Sequence, residues 1–491
     1  MLKKIRVILA LLVFIFLSFL FLDFAGLLPP GLAWLARIQL IPALLALNTG
    51  ILLALLLLTL LTGRVYCSAV CPLGTLQDII SRLGGRGKKR YQYKKPYNLL
   101  RYLMLAIVGL SLLAGFGLTI SLLDPYSTFG RIAFHIARPL FLLANNVLAY
   151  FSNQAGSFYF YHMEVFISSP PALAVSLLTL LAICFLAARY GRLYCNSLCQ
   201  AGALLGLLAR FSLLKPRIDQ RSCTQCQACA RVCKASCIDV EQARIDHSRC
   251  VTCFNCLQAC KFNALRYGGK NSNPPLDRNK RRLLQTLGLS AAWLPGSALA
   301  AASPLQRQTA IAPPGALAHR HLNQHCSACH LCVSQCPTQV LKPAFMEYGL
   351  AGMLQPVMYF EKGYCTYDCV ICTQICPNQA LHCLSVEEKH ATQLGRVVLA
   401  PELCIVYTEG TSCGACAEHC PTQAVTMVPY KEGLTQPRLD TSICVGCGAC
   451  EYICPTLPLR AIFVEGHEVQ QTARPVTQQN NPDPLIDDFG F

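Results

Sequence analysis

The sequence predicts a membrane α-helical bundle of four spans, with a fifth possible, joined to small α+β domains built around cysteine clusters. Three observations predict it. Apolar residues crowd the first 215 positions of the 491-residue chain. Twenty-four of its 31 cysteines fall into six four-cysteine runs. A Gly-Arg-x-Tyr-Cys-x3-Cys element occurs twice within the apolar half. The length suggests about three domains, and 53% hydrophobic against 14% charged residues is unlike a soluble protein.

Residues 1–215 form the transmembrane domain. Four apolar stretches are long enough to span: Ile5–Leu28, Leu40–Thr62, Asn98–Leu122 and Ala172–Arg189; a helix needs about 20 residues to cross the hydrocarbon. Lys3, Lys4 and Arg6 precede the first span, and eight Lys/Arg between Arg82 and Arg101 follow the second. The long connection between the third and fourth has only Arg131 and Arg138. That bias puts both ends of this half in the cytoplasm. The run Pro139–Phe151, with Asn145 and Asn146, reads as an outer-surface or re-entrant helix.

The repeat is Gly63-Arg64-Val65-Tyr66-Cys67-x3-Cys71-Pro72-Leu73-Gly74 and Gly191-Arg192-Leu193-Tyr194-Cys195-x3-Cys199-Gln200-Ala201-Gly202. Residues i and i+4 share a helix face, so each copy is expected to point two thiols one way. A pseudo-twofold along the membrane normal would then join Cys67, Cys71, Cys195 and Cys199 around a further [4Fe–4S] cluster. The competing readings are free or disulfide-forming thiols that merely mark a repeat, and thiol chemistry on a quinone.

Residues 216–270 hold Cys223, Cys226, Cys229, Cys233 and Cys250, Cys253, Cys256, Cys260, both spaced x2, x2, x3. This is the bacterial-type ferredoxin spacing, in which the fourth cysteine of each run serves the other cluster. Cys223, Cys226, Cys229 and Cys260 are thus expected to hold one [4Fe–4S] cluster, and Cys250, Cys253, Cys256 and Cys233 the other. The usual Pro after the fourth cysteine is Lys234 or Lys261. A zinc reading leaves the third and fourth cysteines unexplained.

Residues 277–303 follow. Asn279-Lys280-Arg281-Arg282-Leu283-Leu284-Gln285 is similar to a twin-arginine signal, and a mild apolar run ends in Ala298-Leu299-Ala300. An ordinary fifth span gives the same topology, with residues 304–491 outside; a wholly cytoplasmic tail is the remaining option.

Residues 304–466 carry four more runs: Cys326, Cys329, Cys332, Cys336; Cys365, Cys369, Cys372, Cys376; Cys404, Cys413, Cys416, Cys420; and Cys444, Cys447, Cys450, Cys454. Alternating stretches between them suit short hairpins. Spacing leaves their pairing open: first with second and third with fourth, or second with third inside first with fourth. Cys326-x2-Cys329-His330 matches a haem attachment pattern, but it opens a complete ferredoxin run. Residues 467–491 are expected to be a disordered tail. Cys184, Cys237 and Cys383 fit no run.

The net charge of +17 suggests nucleic acid, but topology and clusters explain it better. Each [4Fe–4S] core with four thiolates carries roughly −2, so seven would offset most of it. Tight cysteine spacing excludes a secreted disulfide scaffold.

Together these residues resemble quinol-dehydrogenase electron-transfer proteins of the NapH and NapG/MauM type. Residues 1–270, with four spans, two C-x3-C elements, Leu123-Asp124-Pro125 and a two-cluster ferredoxin, look like NapH. Residues 277–466, with the leader, Pro313-Pro314-Gly315-Ala316-Leu317 and four runs, look like NapG. The fusion departs from the usual two chains, and Gln200 replaces an expected Pro. The resemblance implies an inner-membrane, multi-pass protein that oxidises quinol from the quinone pool. It would pass electrons through six [4Fe–4S] clusters, and a seventh at Cys67, Cys71, Cys195 and Cys199, to a periplasmic c-type cytochrome or molybdenum reductase such as nitrate reductase. The proton acceptors this needs are sought near the outer face in Asp124, His135, His162 and Glu164. Arg64 and Arg192 either snorkel or stabilise cluster charge. The alternatives are a factor that reduces a metal centre in a partner oxidoreductase, and a structural anchor or redox sensor.

Overall fold

The computed structural model describes residues 1–23, 29–84, 91–269 and 307–474. The twin-arginine-like segment 277–303 lies outside the described residues.

Helix α1 (Leu2–Leu22) is an unbroken apolar helix with no Gly or Pro to interrupt it. The second predicted span is instead two pieces: a helix over Leu40–Leu45 and α2 (Thr49–Thr62). They are separated at Leu47, which has φ +51, and Asn48 caps α2 by accepting from the Ile51 N–H at 3.2 Å. Gly63, at φ +77, ends α2; only Gly takes that conformation without strain.

Two short helices follow, α3 (Tyr66–Ala69) and α4 (Pro72–Leu83). The third predicted span is also broken: α5 (Asn98–Leu113) stops before Gly115, at φ +73, and a turn of helix over Leu118–Leu123 continues it. Arg101 belongs to α5 and is 1% exposed, not a loop residue.

The expected short helix Pro139–Phe151 is part of α6, which runs over Pro125–Gln154 and contains a π-helical stretch at Ala133–Ala137. Arg131 and Arg138 therefore lie on a helix. Helix α7 (Pro170–Tyr190) agrees with the fourth predicted span, and short helices α8 (Leu193–Ser197) and α9 (Gln200–Ala209) complete this half.

Among the described residues three helices, α1, α6 and α7, are long and apolar enough to cross a membrane by length and composition. Of the four expected spans, the first and fourth coincide with α1 and α7, whereas α2 and α5 are shorter apolar helices of 14 and 16 residues.

The ferredoxin segment carries four strands: β1 (Lys215–Ile218), β2 (Ile238–Asp239), β3 (Arg244–Ile245) and β4 (Leu265–Gly268). They pair antiparallel as β1 with β4 and β2 with β3. The C-terminal half adds β5 (Leu341–Pro343) on β6 (Pro356–Met358), β8 (Val425–Pro429) on β9 (Thr435–Leu439), and β7 (Thr392–Leu399) on β10 (Ile462–Thr472). In β10 the alternate residues Ile462, Val464 and Gly466 are buried, the period of a half-buried strand. Residues 467–472, expected to open a disordered tail, are thus strand.

The two iron–sulfur parts sit at opposite ends of the helices. At the N-terminal end of α1, Lys3 donates to Gln258 of the ferredoxin segment at 2.7 Å. At its C-terminal end, Gln335 of the C-terminal half donates to the Leu20 carbonyl at 2.7 Å. Between these ends one hydrophobic core joins Leu17, Phe21, Tyr66, Phe129, Leu205, Val251 and Leu331.

Candidate metal centres

Cys67, Cys71, Cys195 and Cys199 lie in that same core, each 4–5% exposed. The two copies have nearly the same backbone. Cys67 and Cys195 sit inside α3 and α8, which stop at Val70 and Leu198. Cys71 (φ −70, ψ 117) and Cys199 (φ −73, ψ 117) then cap the next helices. The thiols of one copy therefore do not share a helical face, as the i, i+4 reading expects. A break between two short helices points them together.

The repeats exchange contacts across a pseudo-twofold. Arg64 approaches the sulfur of its own Cys67 (Nη2 to Sγ, 3.7 Å) and donates to the carbonyl of Cys195 at 3.2 Å. Arg192 approaches the sulfur of its own Cys195 at 3.9 Å and donates to the carbonyl of Cys67 at 2.6 Å. Gly74 and Gly202 make this possible: a Cβ would fall 2.4 Å from the Cys67 carbonyl oxygen and 2.1 Å from that of Cys195. Both guanidinium groups are 0–1% exposed, so they do not snorkel. Their charge opposes whatever negative charge the four thiolates hold.

Arg64 also donates to Asn196 at 2.8 Å and to the Ser248 carbonyl at 3.0 Å, two residues before Cys250. Lys234, where ferredoxins usually have Pro, supplies a carbonyl that accepts from Arg192 N–H at 2.9 Å, and its amine pairs with Asp78 at 3.3 Å. Gln200, where Pro is expected, has its amide oriented by its partners: it donates to the Leu123 carbonyl at 2.9 Å and accepts from Asp124 N–H at 3.2 Å. Both departures from the usual pattern thus dock one part on another.

The six runs pair as interleaved sets. Cys223, Cys226, Cys229 and Cys260 line one enclosed space. Cys233 lies within electrostatic reach of Cys250, Cys253 and Cys256. In the C-terminal half, Cys376 joins Cys326, Cys329 and Cys332, and Cys336 joins Cys365, Cys369 and Cys372. Cys454 joins Cys404, Cys413 and Cys416, and Cys420 joins Cys444, Cys447 and Cys450. The first run therefore pairs with the second and the third with the fourth. The two pairs meet where Cys365 N–H donates to the Cys447 carbonyl at 2.9 Å.

The backbone fits a cluster. In the four runs spaced x2, x2, the residues two and four places after the first cysteine have positive φ: Gln225 and Gln227, Thr252 and Phe254, Ala328 and His330, Gly446 and Gly448. Such alternation turns successive N–H groups inward as a nest for a negative group, and the Ala328 N–H donates to Cys326 Sγ at 3.4 Å. Outside glycine this conformation is costly and persists where the surroundings demand it. Among the described residues no three His, Cys, Asp or Glu are grouped closely enough for a single metal ion. Burial pushes the thiols of Cys329, Cys416 and Cys447 up to about 12. They ionise when a metal takes the proton's place, not as free nucleophiles.

Cys237 fits no run, yet its thiol is 1% exposed and 3.5 Å from that of Cys233. Cys184 lies half-buried on α7, and Cys383 is exposed.

Of the residues sought as proton acceptors, two are buried and two exposed. Asp124 caps α6: its Oδ2 accepts from Ser127 N–H at 2.8 Å and from the Ser127 hydroxyl at 2.7 Å, while Oδ1 has no partner. His135 meets His330 at 3.1 Å (Nε2 to Nδ1), and His330 Nε2 lies 2.9 Å from the Leu354 carbonyl. That carbonyl can only accept, so His330 donates from Nε2 and His135 donates to His330 Nδ1. Burial, with His135 and Arg131 beside it, holds the His330 imidazole well below the usual histidine range. His162 and Glu164 are exposed. Glu164 and His135 line one cleft of about 40 Å³ with Phe134, Arg138 and Val333. The sequence reading missed His330 as a contact to the helices, Arg101, which donates to the Gly202, Ala203 and Ser248 carbonyls, and Asp78. A charge within an apolar helical stretch is the signal that marks Arg101 and Asp78.

A family described as a 4Fe-4S binding domain matches residues 47–91 and 172–219, the two copies of the repeat. A 4Fe-4S dicluster domain matches residues 411–457. The methylamine utilization ferredoxin-type protein MauM of Methylobacillus flagellatus is 31% identical over 200 residues, 38% of this chain and 85% of that protein. The ferredoxin-type protein NapF of Escherichia coli is 27% identical over 157 residues, 32% of this chain and 87% of that protein. NapG of the same organism is 28% identical over 189 residues, 36% of this chain and 80% of that protein. No solved structure matches. Nested cysteine runs, interleaved thiol sets and a MauM relative matched over most of its length lead to one conclusion: the chain belongs to the ferredoxin-type iron–sulfur electron-transfer proteins represented by MauM.

Proposed function

We propose that this protein is a membrane-bound quinol dehydrogenase component, a fusion of a NapH-like membrane half with a NapG/MauM-like four-cluster half. The observation that carries the reading is the order of seven four-thiol sets along the molecule. Cys253 and Cys329 border the same core as Cys67, Cys71, Cys195 and Cys199, so that set lies between the ferredoxin segment and the C-terminal half. Loaded with [4Fe–4S] clusters, such sets supply one-electron carriers.

The chain's own residues do the rest. Arg64 and Arg192 neutralise charge at the central set. Asp124, with Oδ1 unpartnered, and His135, held to His330, are the buried groups that accept protons from quinol; Glu164, at the mouth of the His135 cleft, releases them. The cleft admits a quinol ring when segment 163–168 moves aside; Asn146 holds that segment by two hydrogen bonds to Met163. The ferredoxin end faces the cytoplasm and the C-terminal half the periplasm, where a c-type cytochrome or molybdenum reductase accepts the electrons.

Anaerobic addition of a short-chain quinol to the full protein in vesicles tests this: the iron–sulfur absorbance should bleach, and bleaching by dithionite alone would overturn it. A second reading has one observation in its favour. Cys226 is exposed at the ferredoxin end, where a cytoplasmic donor can dock, as a factor that reduces a partner's metal centre requires.

A further inference from the structure

A second cavity lies away from the cleft at His135, at the opposite end of the helices. About 1320 Å³ in volume, it opens between α1, α4 and α7 beneath the ferredoxin segment. Six cations line it: Lys3, Arg6, Arg82, Arg189, Arg231 and Lys234. One carboxylate, Asp78, faces them, and it is already engaged by Arg6, by Arg192 at 2.9 Å and by Lys234 at 3.3 Å. Lys3, Arg82, Arg189 and Arg231 have no carboxylate partner among the described residues.

The remaining wall is mixed: Thr75, Ser81, Asn255 and Gln258 are polar, and Val7, Ala10 and Leu11 on α1 and Ile79 on α4 are apolar. Next to them Ile8 on α1 and Phe185 on α7 are 58% and 65% exposed. A cavity lined by six cations and by the apolar flank of α1 suits a ligand with an anionic head and a hydrocarbon body. A quinone ring is neutral and uses neither the charge nor its position.

We propose that this cavity binds an anionic phospholipid, its phosphate among the six cations and its acyl chains along α1 and α7. Basic pockets between membrane helices on the cytoplasmic side are recognised by such head groups. Arg231 and Lys234 belong to the ferredoxin segment, whereas Lys3, Arg82 and Arg189 belong to the helical half, so the phosphate joins the two parts. The inference rests on the reading of this half as a membrane domain.

The experiment uses the full protein, extracted from membranes in mild detergent, with bound lipid identified by mass spectrometry. Wild type is expected to retain an anionic phospholipid. After delipidation, phosphatidylglycerol should raise its thermal stability, whereas phosphatidylcholine and inorganic phosphate should not. The triple variant Arg82→Gln, Arg189→Gln, Arg231→Gln should lose affinity for phosphatidylglycerol by about 100-fold, the factor three such charges supply. Equal stabilisation by phosphatidylcholine, stabilisation by phosphate alone, recovery of a quinone from the cavity, or unchanged affinity in the variant would each overturn the proposal. If the variant does not accumulate, the three-way comparison on wild type decides. A chain recovered outside the membrane fraction would sink the membrane reading itself; a membrane-bound, lipid-free chain would sink only this inference.

Discussion

Arg192 donates to the main-chain carbonyl of Cys67 at 2.6 Å, reaching across from the other copy of the repeat. Arg64 does the reverse toward Cys195. Each half of the central thiol set is thus held by the arginine of its counterpart. Arg192 also pairs with Asp78, so Arg192→Ala takes one of three cations from that buried carboxylate and leaves the Cys67 carbonyl without its donor. Breaking an isolated buried pair costs about 3–5 kcal/mol; with Arg6 and Lys234 still on Asp78 the loss is smaller than that. Arg192→Ala and Arg64→Ala are each expected to lose about four iron atoms per chain, measured by iron and acid-labile sulfide analysis. Arg→Lys should rescue poorly, because a single ammonium cannot reproduce the fork of donors.

The interleaved thiol sets give a non-additive signature. Cys336→Ala and Cys365→Ala strike the same set, so the double variant should lose no more iron than either single one. Cys336→Ala with Cys326→Ala strikes two sets and should lose twice as much. This double-mutant comparison distinguishes interleaved sets from sets built within each run.

The His135–His330 contact ties the C-terminal half to α6. His330→Ala leaves the Leu354 carbonyl and His135 without their bond, at about 1–3 kcal/mol for a buried group left unpaired. Hydrogen exchange around Ser327–Ser334 should accelerate in His330→Ala and in His135→Ala to a similar extent, with little added in the double variant. Unchanged protection would remove this contact as a docking device.

Stability should fall on mild acidification through His247. Burial, with Lys215 and Arg217 nearby, lowers its pKa from 6.5 to about 4. The unfolded chain then binds a proton that the folded chain refuses, so stability present above pH 6.5 is lost as the pH falls toward 4. The loss is at most about 3 kcal/mol. His247→Gln should flatten cluster loss between pH 6.5 and 4 relative to wild type, followed by absorbance.

The candidate ligands were legible in the sequence because cluster chemistry demands cysteines at fixed short spacings. The runs at Cys223, Cys250, Cys326 and Cys444 each read directly as such. Helix existence was legible from apolar length, but helix continuity was not. Gly63, Gly115 and Leu47 break or end helices by a backbone sign that hydropathy does not register, and α6 joins segments that polar residues had seemed to separate.

What the sequence by itself determined is local: which cysteines stand in cluster-type runs, which stretches are apolar, and that one element is repeated. Only the tertiary structure decided which fourth cysteine completes which set, that Arg64 and Arg192 cross between the repeats, and that Lys234 and Gln200 stand in place of Pro to make contacts between parts. These are contacts between residues as far as 156 positions apart, as with Asp78 and Lys234, and depend on how helices pack. Spacing along the chain encodes chemistry within a turn or loop; packing between elements is set by shape and charge that become adjacent only once the chain has folded.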